Sequence, residues 1–286
     1  MGEPPTESWQ WDPTLYQGSA GHYVRGRVPY PTGLIDLLVG ELGLDGRGRL
    51  LDIGCGPGTL TLPLAGHVEH VVGADADAGM LAEARRRATA VGIRNATWLN
   101  RQAEDLSPDL GPFGAVTMAQ SFHWMDRRRV AALLHQLVQP GGALGYVHAT
   151  THEGMDGTLP LANPRPPRRE MDALIAAYLG PRRRAGRGHR PLDRISEEDR
   201  HRTEAAMFTA AGWSGPTAHV VPGWTVDRTA DEVVASVFSL SYATPHLFGD
   251  RLADFERELR AMLRRASPDG LFSERMREIA VQVWRR

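Results

Sequence analysis

The stretch LLDIGCGPG, residues 50–58, places glycines at 54, 56 and 58 behind an apolar pair and Asp52. Glycines at that spacing, in a turn between a strand and a helix, let a ligand approach bare backbone amides at the helix N-terminus. About twenty residues on, Asp75 closes the run HVVGAD. A carboxylate there accepts hydrogen bonds from both hydroxyls of a ribose. Two ligand classes use this device, dinucleotides and S-adenosylmethionine. The dinucleotide fingerprint G-x-G-x-x-G asks for a glycine where this chain has Thr59. A phosphate loop asks for Gly-Lys-Ser/Thr, and the chain has no lysine, all 33 of its basic side chains being arginine.

Apolar strands alternating with amphipathic helices must position these residues. A helix starts after Pro31 with Leu34, Leu37, Leu38 and Leu42 on one face. Strands follow at 49–53, 70–75, 96–100, 113–120 and, after the turn PGG, 142–149. Helices lie after Gly58 and over 77–91 and 126–138, a rhythm that reads as βα units around a buried parallel sheet. Ligands in such sheets sit beyond the carboxyl ends of the strands, which puts Gly54, Asp75, Gln102 and Gln120 on one edge. Residues 1–29 read as irregular. From 151 to 199 the chain is rich in proline and arginine, with one short helix at 169–179. Helices around 201–211, after Thr229 and at 249–266, with strands at 215–221 and 278–284, complete an open sheet with an insertion after its fifth strand.

LLDIGCGPG followed by VVGADADAGML resembles the class I S-adenosylmethionine-dependent methyltransferases, as do QAEDL (102–106), AVTMAQSFHWMD (115–126) and LVQPGGAL (137–144). SFHWMD and the upstream HYVRGRVPYP are similar to the subgroup of trans-aconitate methyltransferase-like (methyltransferase type 11) enzymes. The resemblance implies a doubly wound, Rossmann-like α/β sheet of seven strands, the last antiparallel, with a lid after strand 5. It divides the chain into a cofactor-covering segment (1–29), a cofactor-binding core (30–150), a lid (151–200) and a C-terminal completion (201–286). It also implies roles. Gly54, Cys55, Gly56 and Gly58 would bring main chain to the methionine portion, Asp52 would hold its ammonium, and Asp75 with Ala76 the ribose. The Ala103 amide, with Gln102 and Glu104, would meet the adenine, and Gln120 would line the same edge. The family usually has aspartate at 102, and glutamine can still accept a hydrogen bond. Tyr16, His22 and Tyr23 lie in the segment that folds over the cofactor, and Arg27 would meet its carboxylate.

A sulfonium methyl is already activated, so the protein must align the acceptor, exclude water and remove a proton where the acceptor is weak. His123 is the leading base, a neutral imidazole with pKa about 6.5 suiting that task; with Trp124 it would otherwise wall the cofactor. Between Arg165 and Arg190 stand eight arginines against two acids, Glu170 and Asp172. Either this run is solvated, or its guanidinium forks recognise an anionic acceptor through Arg168 and Arg169. Glu170 then becomes a second candidate base. Trp213 and Tyr242 would wall an apolar pocket, or pack the core. The expected activity is methylation of a small molecule in secondary metabolism. C-methylation of a prenyl diphosphate, with Mg2+ on the diphosphate, is the specific form; O- or N-methylation of a polyketide, sugar or carboxylic acid is the broader one. An RNA methyltransferase and a non-catalytic S-adenosylmethionine-binding protein are the rivals.

A net charge of −1 on 286 residues speaks against coating nucleic acid or membrane by bulk charge. The single cysteine, Cys55, rules out an internal disulfide framework and fits a reducing compartment. No apolar run approaches the roughly 18 residues that span a bilayer, and no signal peptide is visible in MGEPPTESWQWDP, so a cytoplasmic protein is expected.

Overall fold

The computed structural model describes residues 12–181 and 203–286, together with the backbone alone of 183–185, 188–190 and 197–202. Five strands, β1 (Arg49–Ile53), β2 (His70–Asp75), β3 (Ala96–Asn100), β4 (Phe113–Ala119) and β5 (Val138–His148), run parallel. With β8 (Ser214–Val221) and β11 (Ile279–Arg285) they form a seven-stranded sheet of order β3-β2-β1-β4-β5-β11-β8. The last strand, β11, is antiparallel to both of its neighbours. This is the class I methyltransferase strand order expected from the resemblance.

Both faces of the sheet are covered, which is why its central strands are apolar on both sides. Helix α2 (Thr32–Leu42) lays Leu34, Leu38 and Leu42 on the face carrying Leu50, Val71 and Val147. On the other face α5 (Arg127–Leu137) and α7 (Glu197–Ala210) pack Val130, Leu134 and Phe208 against Ile53, Met118 and Tyr146. After β1 the chain makes only a one-turn helix α3 (Thr61–Leu64) and a 3-10 turn, whereas α4 (Ala78–Ala90) is a full helix capped by Asp77. The PGG segment read as a turn lies inside β5, as an irregularity in its pairing with β4.

A cap rises over the carboxyl edge. Its helices α6 (Arg168–Leu179), α8 (Ala230–Phe238) and α9 (Leu252–Ala266) share a separate apolar core that includes Ile175, Val233, Phe238, Phe255 and Leu259. Helix α8 starts in the capping box Thr229–Glu232, with both reciprocal hydrogen bonds made; such a cap contributes about 1 kcal/mol. Two elements here escape the apolar-pattern reading, strands β9 (Thr225–Thr229) and β10 (Leu271–Arg275), which pair antiparallel. A short hairpin of β6 (Arg183–Ala185) and β7 (Gly188–Arg190) lies in the arginine-rich run, whose side chains from 182 to 202 fall outside the described residues.

Residues 1–29, expected to be irregular, contain helix α1 (Ala20–Gly26). Its sequence AGHYVRG has weak helix formers and no side-chain N-cap bond. Packing supplies what propensity lacks: Gly26 lies against the α8 backbone so closely that a Cβ would collide with Ser236 N and Ala235. Among the described residues no helix is long and apolar enough to cross a membrane.

Candidate active site

A cleft opens at the carboxyl ends of β1, β2 and β4, between Gly54, Gly56, Asp75, Ala103, Gln120 and Trp124. The three glycines do different work there. All have left-handed φ, +63° at Gly54, +53° at Gly56 and +75° at Gly58, which side chains adopt at a cost of about 1–2 kcal/mol. At Gly54 the close neighbour is the protein itself, since a Cβ would collide with Ser121 Cβ. At Gly58 it would press on Leu62 and Trp98, each at 3.1 Å. Gly56 alone has no atom within 4 Å of a built Cβ, and it lines the cleft. Gly56→Ala is therefore expected to fold, at a cost of about 1–2 kcal/mol, and to weaken cofactor-product binding at least tenfold in calorimetry. Gly54→Ala adds the Ser121 collision and should lose the larger share of its effect in a urea melt.

Asp75 holds this loop in place. Its Oδ2 accepts from Gly56 N and its Oδ1 from Asp77 N, both at 2.8 Å, leaving a second lone pair on each oxygen for ligand hydroxyls. Burial pushes its carboxyl up to about 6, against the pull of those two amides. Asp52 behaves otherwise. It is 1% exposed, with Oδ2 accepting from Thr61 Oγ1 at 2.5 Å and Oδ1 from Thr117 Oγ1 at 2.9 Å. It fixes the floor beneath the loop and does not line the cleft. Its carboxyl also rises to about 6 through burial. Cys55 is buried beneath the loop against Gly73, and burial raises its thiol pKa.

The far wall is aromatic. Tyr16 meets Tyr23 and Trp124 edge-on, at 6.4 and 6.1 Å between ring centroids. Burial raises the Tyr16 pKa above its ordinary value, so it stays a neutral donor. Ala76, Arg101, Gln102 and Glu104 also line the cleft. Glu104 also accepts from Asp126 N, and burial raises its pKa. Arg27 stands behind Tyr23, its guanidinium 4.6 Å from the ring centroid and bonded to Ser239 Oγ at 2.9 Å. His22 faces Phe238 of α8 at 5.1 Å, and burial, with Arg25 next, lowers its pKa.

A second, larger cavity of about 680 Å3 lies beyond the ends of β4 and β5. His123, Tyr146, His148, Arg275 and Arg277 line it, and Gln120 lines both spaces. Gln120 is also the one non-glycine at positive φ among the described residues, at +57°. Strain of this kind gathers at functional sites. His123 opens on this cavity and leans on Trp124 of the first, 4.7 Å between rings.

The remaining expected substrate residues line neither space. Glu170 and Arg169 are exposed on the first turn of α6. Arg168 is committed to Glu274, at 2.8 Å, and to the His152 carbonyl. Trp213 is a core residue whose indole donates to the Ala131 carbonyl at 3.0 Å, and Tyr242 packs against the cap core. Tyr146, His148, Arg275 and Arg277 were not singled out from sequence. No local spacing marks them, because two come from β5, one from the end of β10 and one from the connection into β11.

A family model described as "Methyltransferase domain" matches residues 50–142. An uncharacterized methyltransferase of Mycobacterium tuberculosis is 35% identical over 143 residues, 50% of this chain and 55% of the relative. The chain thus spans about half the length of the first curated relatives it matches. A 23S rRNA (uracil(1939)-C(5))-methyltransferase of Stenotrophomonas maltophilia is 46% identical over 61 residues, 21% of this chain and 13% of that enzyme. Among solved structures, the YcgJ protein of Bacillus subtilis superposes with a TM-score of 0.52 at 19% identity, over 90% of this chain and 99% of that one. That likeness is one of fold.

Proposed function

We propose that this chain, whose residues 50–142 form a class I S-adenosylmethionine-dependent methyltransferase domain, is an enzyme that methylates a small molecule held beside the cofactor. The observation that carries the reading is the pair of adjoining spaces that share Gln120, a cleft lined by Gly56 and Asp75 and a roomier polar cavity. S-adenosylmethionine supplies a methyl group already activated on a sulfonium. Asp75 would accept from its ribose hydroxyls, Gln102 and Ala103 would meet its adenine, and the open backbone at Gly56 would leave room for its methionine portion. Tyr16, Tyr23 and Trp124 close the cleft and keep water from the reacting centre.

The acceptor occupies the second cavity, facing Gln120. There His123 takes the proton of a hydroxyl or amine acceptor as it is methylated; general bases of this kind contribute about 10²–10⁴ in rate. An acceptor that is already an anion needs no such step. The SFHWMD segment is the residue basis for placing the enzyme near the trans-aconitate methyltransferase-like subgroup. Mg2+ enters the proposal only as companion to a diphosphate acceptor.

Calorimetry with S-adenosylhomocysteine, the demethylated cofactor, tests the reading. Wild-type protein should bind it, and Asp75→Asn should bind at least tenfold more weakly while melting cooperatively. Tighter uptake of a nicotinamide or flavin nucleotide by the wild type would overturn the assignment.

A further inference from the structure

The acceptor cavity has a chemical bias that its histidines do not explain. Arg275, the last residue of β10, and Arg277, two residues on in the connection to β11, both line it, either side of fully buried Met276. Both residues border this one space, so their guanidinium groups can serve one ligand. Both are half-buried. Among the described residues Arg275 has no side-chain hydrogen bond or ion pair within 4 Å, and Arg277 has none either, acting only electrostatically on Glu153. The arginines of the cap interior behave differently: Arg168 and Arg228 are both spent on Glu274 and on backbone carbonyls.

Resting on the proposed methyltransferase reading, we propose that the acceptor is a small molecule bearing an oxyanion, bound between Arg275 and Arg277 while its methylated atom faces Gln120. A guanidinium presents parallel N–H donors that match carboxylate or phosphate oxygens, and partial burial strengthens the attraction over that in water. Glu278 also lines the cavity, but it is exposed, so its charge is better screened than those of the two half-buried arginines. Carboxylate and phosphate share this chemistry, and the test separates them.

The full-length protein saturated with S-adenosylhomocysteine is titrated by calorimetry with glutarate, inorganic diphosphate and the uncharged glutaramide. One of the two anions should bind and glutaramide should not, and whichever anion binds more tightly names the group. Arg275→Gln and Arg277→Gln should each weaken that binding about tenfold or more, and Arg275→Lys should recover part of it by keeping charge without the fork. Exposed Arg94→Gln should change nothing. Equal binding of glutaramide, no anion binding by the loaded wild type, or undiminished binding in both glutamine variants overturns the proposal. Failure of the wild type to take up S-adenosylhomocysteine overturns the methyltransferase reading instead, and S-adenosylhomocysteine affinity within twofold of wild type in the variants keeps the two apart.

Discussion

Glu274→Ala is expected to cost about 3–5 kcal/mol of stability, the usual penalty for leaving a buried charge without its partner. Here two charges are stranded. Glu274 is 4% exposed and accepts from Arg168 at 2.8 and 2.9 Å, from Arg228 at 2.9 Å and from Gly154 N at 2.9 Å. Arg228, also 4% exposed, donates in turn to the carbonyls of Gly26, His152 and Glu232. One carboxylate therefore ties α1, the strap after β5, α6, α8 and the β9–β10 pair together. Burial alone would raise the Glu274 pKa, but Arg168 and Arg228 outweigh it and hold the pKa below the usual value. Its stabilisation is accordingly present at neutral pH and disappears as pH falls through that depressed value. For a chain of this size the loss corresponds to a fall in melting temperature of roughly 6–20 °C. Glu274→Gln, which keeps an acceptor, should lose less. An alanine variant melting within 2 °C of wild type would refute the account. The same change should weaken S-adenosylhomocysteine binding, because Gly26 ends the helix that carries Tyr23 into the cleft.

That cluster also marks where sequence patterns stop being readable. The strands of the sheet announce themselves because burial on both faces leaves near-continuous apolar runs, as in RLLDI and HVVGAD. Strands β9 and β10 read TVDRT and LFSER. Their charged residues look solvated until Arg228 and Glu274 are seen to neutralise each other across the pair. The cleft beside Gly56 was legible because its backbone turn and the Asp75 carboxylate fall at spacings set by one βα unit. Of the larger cavity only His123 and Gln120 were legible, since Tyr146, His148, Arg275 and Arg277 join them from segments that share no period. Charge density drew attention to Arg165–Arg190, yet Arg168 there is consumed by the cap interior and Arg169 is exposed. The glycines carry a related lesson: three in five residues suggest a ligand at each, whereas Gly54 and Gly58 are constrained by Ser121 and Trp98.

Affinity for S-adenosylhomocysteine should be flat above about pH 7 and fall roughly tenfold for each unit below pH 6. The cause is Asp75, whose carboxyl burial lifts to about 6 in the open cleft. Ribose hydroxyls donate to its ionised form, so binding pulls the pKa back down and the ionised protein binds more tightly. Uptake near pH 5.5 should then release up to about three quarters of a proton, read from the binding enthalpy in buffers of different ionisation heat. Asp52 titrates in the same range, but both its oxygens face Thr61 and Thr117 and it does not line the cleft. Asp52→Asn should therefore keep the slope, whereas Asp75→Asn should bind weakly and without pH dependence between 5 and 7. The unliganded fold shows the opposite sign. Both carboxyls have folded pKa values above the unfolded one, so its stability falls as pH rises from about 4 to 6 and levels beyond, and ligand binding offsets the part due to Asp75. A proton release that survives in Asp75→Asn would assign the titration to another group and remove the carboxylate from the ribose site.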